Sequence, residues 1–447
     1  DLGMTGESLA LLAARYDADH AEFGISHAMP VAVDILGLLA RYPGLEAVYP
    51  LMQAFDMCAA FHPRRDKRPV PESVDPGDDV DAAGDRLLAL VEGEEVAQAE
   101  ALLRGALARG WDRATVEPWF YRANAHHFIG FGHGLIYTTK AFDLLEVVGW
   151  EHAAEILPGV LVSIINQTRE ERLPEWRWFR VRLAALEPRL DALYGQARSN
   201  RSSDTGSLVS TLVDGAREEA FDAITDAVER GVSLVAIVDA LSVASSERLM
   251  RFDHGIDADH TIQNGWLTVT HILTYVNAVR SALSRFDSPD LLRYLYFAAR
   301  QVQHHEALDL APEARLGDRG SVRDTLGACR GLVEGAVRSG DAQQALDALA
   351  GFVHAGGTVA TLRPFCEDLA LNDARVEPIR VAHLLKTGVA AFEEHEALAS
   401  AGPPGALRPI QSFLRFAASP MRERNVQARS YEAIRFIVHG KVPRTLA

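Results

Sequence analysis

Residues 207–243 read SLVSTLVDGAREEAFDAITDAVERGVSLVAIVDALSV. Apolar residues recur there every three to four positions, polar ones fill the opposite face, and a glycine followed by serine interrupts the pattern once. That is the period of amphipathic helices joined by a tight turn. The same period runs along most of the chain, while strict alternation and Asn-Gly hairpin signals are scarce. The fold class expected is all-α, a large helical bundle built from degenerate helical repeats. Stretches rich in Pro, Gly, Ser or Asp at 64–85, 195–206, 311–320 and 402–409 read as surface loops. The loop near residue 200 divides the chain into an N-terminal helical half, 1–200, and a C-terminal half, 201–447, expected to form one integrated body with any site at their junction.

Outward from that stretch, a repeat emerges. ALLRGALARGWDRATVEPW, FDAITDAVERGVSLVAIVDAL and LDALAGFVHAGGTVATLRPF share a helix, a glycine stop and a polar start to the next helix. Aligning Gly110, Gly231 and Gly356 brings Asp112, Ser233 and Thr358 together as N-caps, and Val116, Ile237 and Leu362 together on the apolar face. Each unit leads to a helix that opens on histidine: His133 in HGLIYTTKAF, His271 in HILTYVNAVR and His383 in HLLKTGVAAF, at 23, 40 and 27 residues past the glycine. The middle interval is stretched by the insertion FDHGIDADHTIQNG, and a shorter echo is His27 in HAMPVAVDILGLLAR. One histidine on an apolar helix packs or caps more often than it ligates. Four in matching places suit a metal at the centre of a bundle, since imidazole is a good ligand for Fe, Zn, Cu and Ni.

Composition narrows the function classes. The 447 residues are 48% hydrophobic and 24% charged, as in ordinary globular chains, and carry a formal net charge of −16. A surface so acidic argues against nucleic acid or an anionic membrane as partner. Cys58, Cys329 and Cys366 show no CxxC spacing, and no signal peptide or bilayer-spanning run is evident, so a cytoplasmic protein, monomer or homodimer, is expected. No Gly-rich phosphate loop, dinucleotide fingerprint or HExxH motif is found, so neither flavin nor nicotinamide is expected. Of the 45 basic residues only Lys67, Lys140, Lys386 and Lys441 are lysines. Lys386 lies three residues after His383, on the same helix face, among apolar neighbours. Such a lysine either snorkels to water or loses its charge; a neutral amine can add carbon dioxide and become a carbamate, an anionic oxygen donor.

The blocks SHAMPVAVDILGLL, FGHGLIYTT, THILTYVNAVR and AHLLKTGVAAF, in this order along the chain, resemble those of the questin oxidase-like family, which includes Baeyer–Villiger-type oxidases of aromatic polyketide pathways. The resemblance implies an all-helical mononuclear non-heme Fe(II) oxygenase of secondary metabolism, with O2 and a small aromatic or quinone-like molecule as substrates, acting by oxygen insertion with carbon–carbon cleavage. It implies His27, His133, His271, His383 and a carboxylated Lys386 as metal ligands. Gly132 stands before His133 where relatives often carry Phe, and the insertion adds His254 and His260, either of which is an alternative ligand. Tyr137, Thr274, Asn277 and His127 are candidates to orient the imidazoles. His304 and His305 read as a solvated or inter-helix pair, and Trp176, Trp178 and Phe179 as core rather than substrate platform. Two rival readings are a zinc-type metallohydrolase and a non-catalytic helical-repeat scaffold whose histidines only pack.

Overall fold

The computed structural model describes residues 5–63, 65–258, 265–317, 325–372, 378–401, 405–419 and 435–441. Among them the regular structure is helical throughout, with three isolated backbone bridges and no strand. None of these helices is long and apolar enough to cross a membrane. The repeated glycines do what their position predicts. Gly110, Gly231 and Gly356 have φ of 79°, 88° and 88°, and each is followed by the same bond from the next amide to the carbonyl five residues back: Trp111 to Ala106, Val232 to Ala227 and Gly357 to Phe352. This is the Schellman ending, which satisfies carbonyls that the helix leaves open. Val116, Ile237 and Leu362 are buried after it. Asp112 and Ser233 cap the following helices through their side chains. Thr358 does not; a 3-10 turn, Val359–Leu362, intervenes there before the helix Arg363–Leu371, which carries Pro364 in its first turn. The stretch near residue 200 is bound to the Gly231 turn, because Ser202 exchanges backbone hydrogen bonds with Gly231 and Ser233.

At the centre lies the helix Trp266–Arg285, which packs against His133–Val148, Leu234–Arg251, Leu291–His304 and Pro378–Ala401. Its first residue, Trp266, is buried between Phe252 and Phe416. The short helix Ala28–Leu36 packs on both His133–Val148 and Pro378–Ala401, which brings residues of the two chain halves around one point.

Charged pairs set the register of these four helices. Asp34 of Ala28–Leu36 binds Lys140 of His133–Val148 at 2.6 Å. Asp143, on the latter helix, binds Arg285 of Trp266–Arg285. Arg280, one turn earlier, bonds Glu394 of Pro378–Ala401 and Asp239 of Leu234–Arg251, each at 2.8 Å. Glu394 is fully buried, so this pair is stabilising only because its hydrogen bonds are complete.

The start of Ala28–Leu36 is held from outside its own sequence. His27 occupies the N-cap position without capping. Asp17, fully buried on the preceding helix, takes over: its Oδ2 accepts the amides of Ser26 and Met29 at 3.0 Å each, while Oδ1 bonds His62 Nε2 at 2.7 Å. The His27 ring is thereby left free to point elsewhere. Replacing Asp17 by Ala removes charge-assisted bonds and strands a buried amide, and is expected to cost about 3 kcal/mol in urea denaturation. A loss below about 1 kcal/mol would contradict this role.

Candidate metal centre

Each of the four aligned histidines reaches the same point from a different helix. His27 precedes Ala28–Leu36 and His133 opens its helix; His271 and His383 do not open theirs but stand sixth in Trp266–Arg285 and Pro378–Ala401. The segments before them continue the helix upstream because they too are apolar and unbroken. Ring centroids are 4.4 Å apart for His133 and His271, 4.8 Å for His27 and His133, 4.8 Å for His271 and His383, and 5.0 Å for His27 and His383. His271 Nε2 faces His133 Nε2 at 2.8 Å and His383 Nε2 at 3.3 Å. Ring nitrogens of His27, His271 and His383 all lie within 4.8 Å of one another.

His383 Nδ1 is 2.7 Å from the Ile379 carbonyl, which only accepts, so Nδ1 carries the proton and Nε2 presents a bare lone pair. The Leu267 carbonyl stands in the same i−4 position toward His271 Nδ1, which has no other partner. The Tyr137 hydroxyl lies 3.3 Å from His27 Nδ1, and its ring stacks on His133 at 4.8 Å. His27 Nε2 is buried without a hydrogen-bond partner. Lone pairs facing each other repel, and a single proton on His271 cannot serve both neighbours. A cation at the centre would satisfy them together, so this donor set fits a transition metal.

Burial holds the cluster neutral. Loss of hydration depresses all four imidazoles, and the nearby Lys386 ammonium depresses them further; His383 falls to about 3. Lys386 itself is buried, its Nζ lacks a hydrogen-bond partner, and desolvation brings it down to about 7. The contrast with Lys140 is instructive. Lys140 keeps Asp34 to itself at 2.6 Å and is pushed upward by that carboxylate, although burial works against it. Asp34 thus neutralises one lysine and leaves the other with only a partial, indirect attraction.

The remaining sequence candidates separate. Tyr137 touches the cluster, but Thr274 bonds the backbone carbonyls of Thr270 and His271 rather than a ring. Asn277 turns to Glu393 and Glu394, and so belongs to the helix clamp. His127 is held between Glu92 and Glu171 at 2.7 Å each, a separate buried pairing. His254 is exposed, with its charged surroundings supplied by Arg415, Asp253 and Asp257; His260 lies outside the described residues. No side chain fits at Gly132, which has φ of 94° and whose Cβ would stand 2.6 Å from the Tyr275 ring. His304 and His305 belong, with His133, Gln301 and Trp176, to the walls of a cavity of about 600 Å³. Sequence reasoning missed Glu170 and Phe131 in the same walls, and the Asp34–Lys140 pair beside Lys386.

No protein-family model matches this chain, and no curated protein or solved structure matches it either.

Neutral buried imidazoles give a definite pH dependence. In the unfolded chain they titrate near the ordinary 6.5, so below that pH the unfolded state binds more protons than the fold does. Their contribution is complete above 6.5 and is lost as pH falls toward the depressed value, about 3 for His383. Metal-stripped protein should therefore show a urea midpoint that drops between pH 7 and pH 5, and His383→Gln should flatten the drop. A midpoint independent of pH in that window would mean that the rings are not buried as neutral groups.

Proposed function

We propose that the chain is a mononuclear non-heme iron oxygenase acting on an aromatic or quinone-like small molecule, with oxygen insertion that leads to carbon–carbon cleavage. The observation that carries this reading is the meeting of four imidazoles, two of them with facing nitrogens at 2.8 Å and 3.3 Å from His271 Nε2, beside a buried lysine whose Nζ has no partner. Catalytic zinc usually takes three protein ligands in a tetrahedral site. Four imidazoles and an anionic fifth donor suit the higher coordination of iron and leave a position over. Bound iron would supply the activation of O2, which organic side chains do not provide.

The chain's own residues prepare the site. His383 presents Nε2 because the Ile379 carbonyl holds the opposite nitrogen, and the Leu267 carbonyl stands one helical turn before His271 in the same way. Tyr137 steadies His27 through its hydroxyl and His133 through its ring. The neutral Lys386 amine can add its lone pair to the carbon of CO2; one N–H proton is released and a carbamate with one negative charge results. That charge offsets the metal's, in a site where the nearby carboxylate Asp34 is already committed to Lys140. The cavity that begins at His133 gives substrate access to one side of the cluster.

A three-histidine subset, His27, His271 and His383, also satisfies the ligand count of a catalytic zinc site, which keeps the metallohydrolase as a second reading. Elemental analysis of purified protein separates the two. Iron at about one ion per chain is expected. His271→Ala and His383→Ala should lose it, and Lys386→Ala should lose O2 consumption more than metal. Stoichiometric zinc with activity under anaerobic conditions would favour the hydrolase, and absence of any transition metal from wild type would refute both.

A further inference from the structure

The cavity of about 600 Å³ beside the imidazole cluster is lined by Phe131, Gln167, Glu170, Trp176 and His305 as well as His133. Its volume suits a molecule of roughly three fused rings. Phe23, Phe131 and Trp176 are its aromatic walls, and the latter two, next to the cluster and the His304–His305 end, differ in what they can offer. Trp176 is 2% exposed, with Phe128 stacked on its ring at 5.2 Å and the Arg300 guanidinium over it at 4.7 Å, so its faces are already used. Phe131 is 42% exposed, and the one ring stacked on it among the described residues is His271, at 6.0 Å with the rings 20° from parallel. Its backbone is unusual. Gly130, Phe131 and Gly132 have φ of 51°, 60° and 94°, a left-handed run that glycine adopts freely and Phe does not.

That conformation is held from across the cavity wall. The Phe131 amide donates to Glu170 Oε1 at 2.7 Å, Gly130 donates to the Thr168 carbonyl at 2.9 Å, and Glu170 returns a bond to the Phe128 carbonyl at 2.8 Å. A second polar feature of the same cavity is His305. Its Nδ1 donates to the Gln301 carbonyl at 2.8 Å, which makes Nε2 an acceptor, and that buried atom has no partner in the chain.

We propose that Phe131 is the stacking platform for a planar, hydroxyl-bearing aromatic ligand lying beside the imidazole cluster, that Glu170 is the positioning residue that fixes this platform, and that His305 accepts the ligand's hydroxyl. The proposal rests on the oxygenase reading in treating the cavity as the substrate chamber. Phe131 then has two neighbours, His271 on one side and substrate on the other, so a ring bound there lies one aromatic layer from the cluster. The disfavoured backbone is explained by the need to present that face.

Titration of the full-length protein with 2-hydroxyanthraquinone, followed by quenching of tryptophan fluorescence, tests this, with metal content measured on the same samples. Phe131→Leu keeps bulk and removes stacking, and should weaken binding roughly five- to tenfold with metal content unchanged. Glu170→Gln retains an acceptor for the Phe131 amide and should stay within about twofold of wild type, whereas Glu170→Ala should weaken binding about as much as Phe131→Leu. His305→Phe should weaken the hydroxylated probe but not anthraquinone itself. Thermal melts show whether each variant folds, and Glu170→Gln serves if Glu170→Ala does not. Binding by Phe131→Leu within about twofold of wild type would overturn the platform, as would a wild type that does not bind the probe. Probe binding that follows Phe131 in protein free of metal would leave this proposal standing and sink the iron reading; full metal with binding indifferent to Phe131 would do the reverse.

Discussion

The four helices that carry the cluster depend on a circuit of ion pairs placed away from it. Asp34–Lys140 joins the His27 helix to the His133 helix, Asp143–Arg285 joins the latter to the His271 helix, and Arg280–Glu394 joins that one to the His383 helix. Helix packing alone tolerates sliding by a turn, since apolar ridges and grooves repeat. A buried carboxylate such as Glu394 does not tolerate it, because losing its guanidinium leaves an unpaired charge in the core. The imidazoles meet because the pairs behind them allow one register.

Neutrality follows from the same arrangement. The circuit uses the acids near the centre, so Lys386 is left with no carboxylate of its own, and burial drives both it and the four histidines toward their uncharged forms. Neutral imidazole and neutral amine are the forms that bind metal and carbon dioxide. A packing role would have asked less: a phenylalanine in place of any of these rings would fill the space without leaving facing lone pairs. Helix carbonyls at i−4, Tyr137 and Asp17 each orient a ring or its helix, which is more order than accidental histidines require.

Much of this is legible in the sequence. Period gives the helices, and the left-handed glycines at 110, 231 and 356 follow from their place after an apolar run. The aligned histidines were legible because equivalent positions in similar helices converge when the helices pack. Their position within each helix is set by breakers further upstream, Gly265 and Pro378, so the helices start five residues before His271 and His383. Thr274 and Asn277 share a helix with His271, yet one turns to the backbone and the other to the Glu394 clamp, a choice made by a neighbouring helix more than 100 residues away in sequence. His127 is similarly claimed by Glu92 and Glu171. Lys140 could have been found, since it lies seven residues after His133 on an apolar face and is one of only four lysines. Phe131 and Glu170 could not, because their significance lies in a turn geometry and a hydrogen bond that no period encodes.

We propose that His27, His133, His271, His383 and Lys386 enclose one metal ion, with Lys386 extended as a carbamate. An anomalous-difference map from crystals of the purified protein, collected on both sides of the iron absorption edge, addresses it directly. The account predicts a single iron peak among the four rings, bonded to ring nitrogens at about 2.1 Å, with density continuing beyond Lys386 Nζ toward it. A map without a peak there, in crystals where the rings hydrogen-bond to one another and Lys386 ends at its amine, would contradict it.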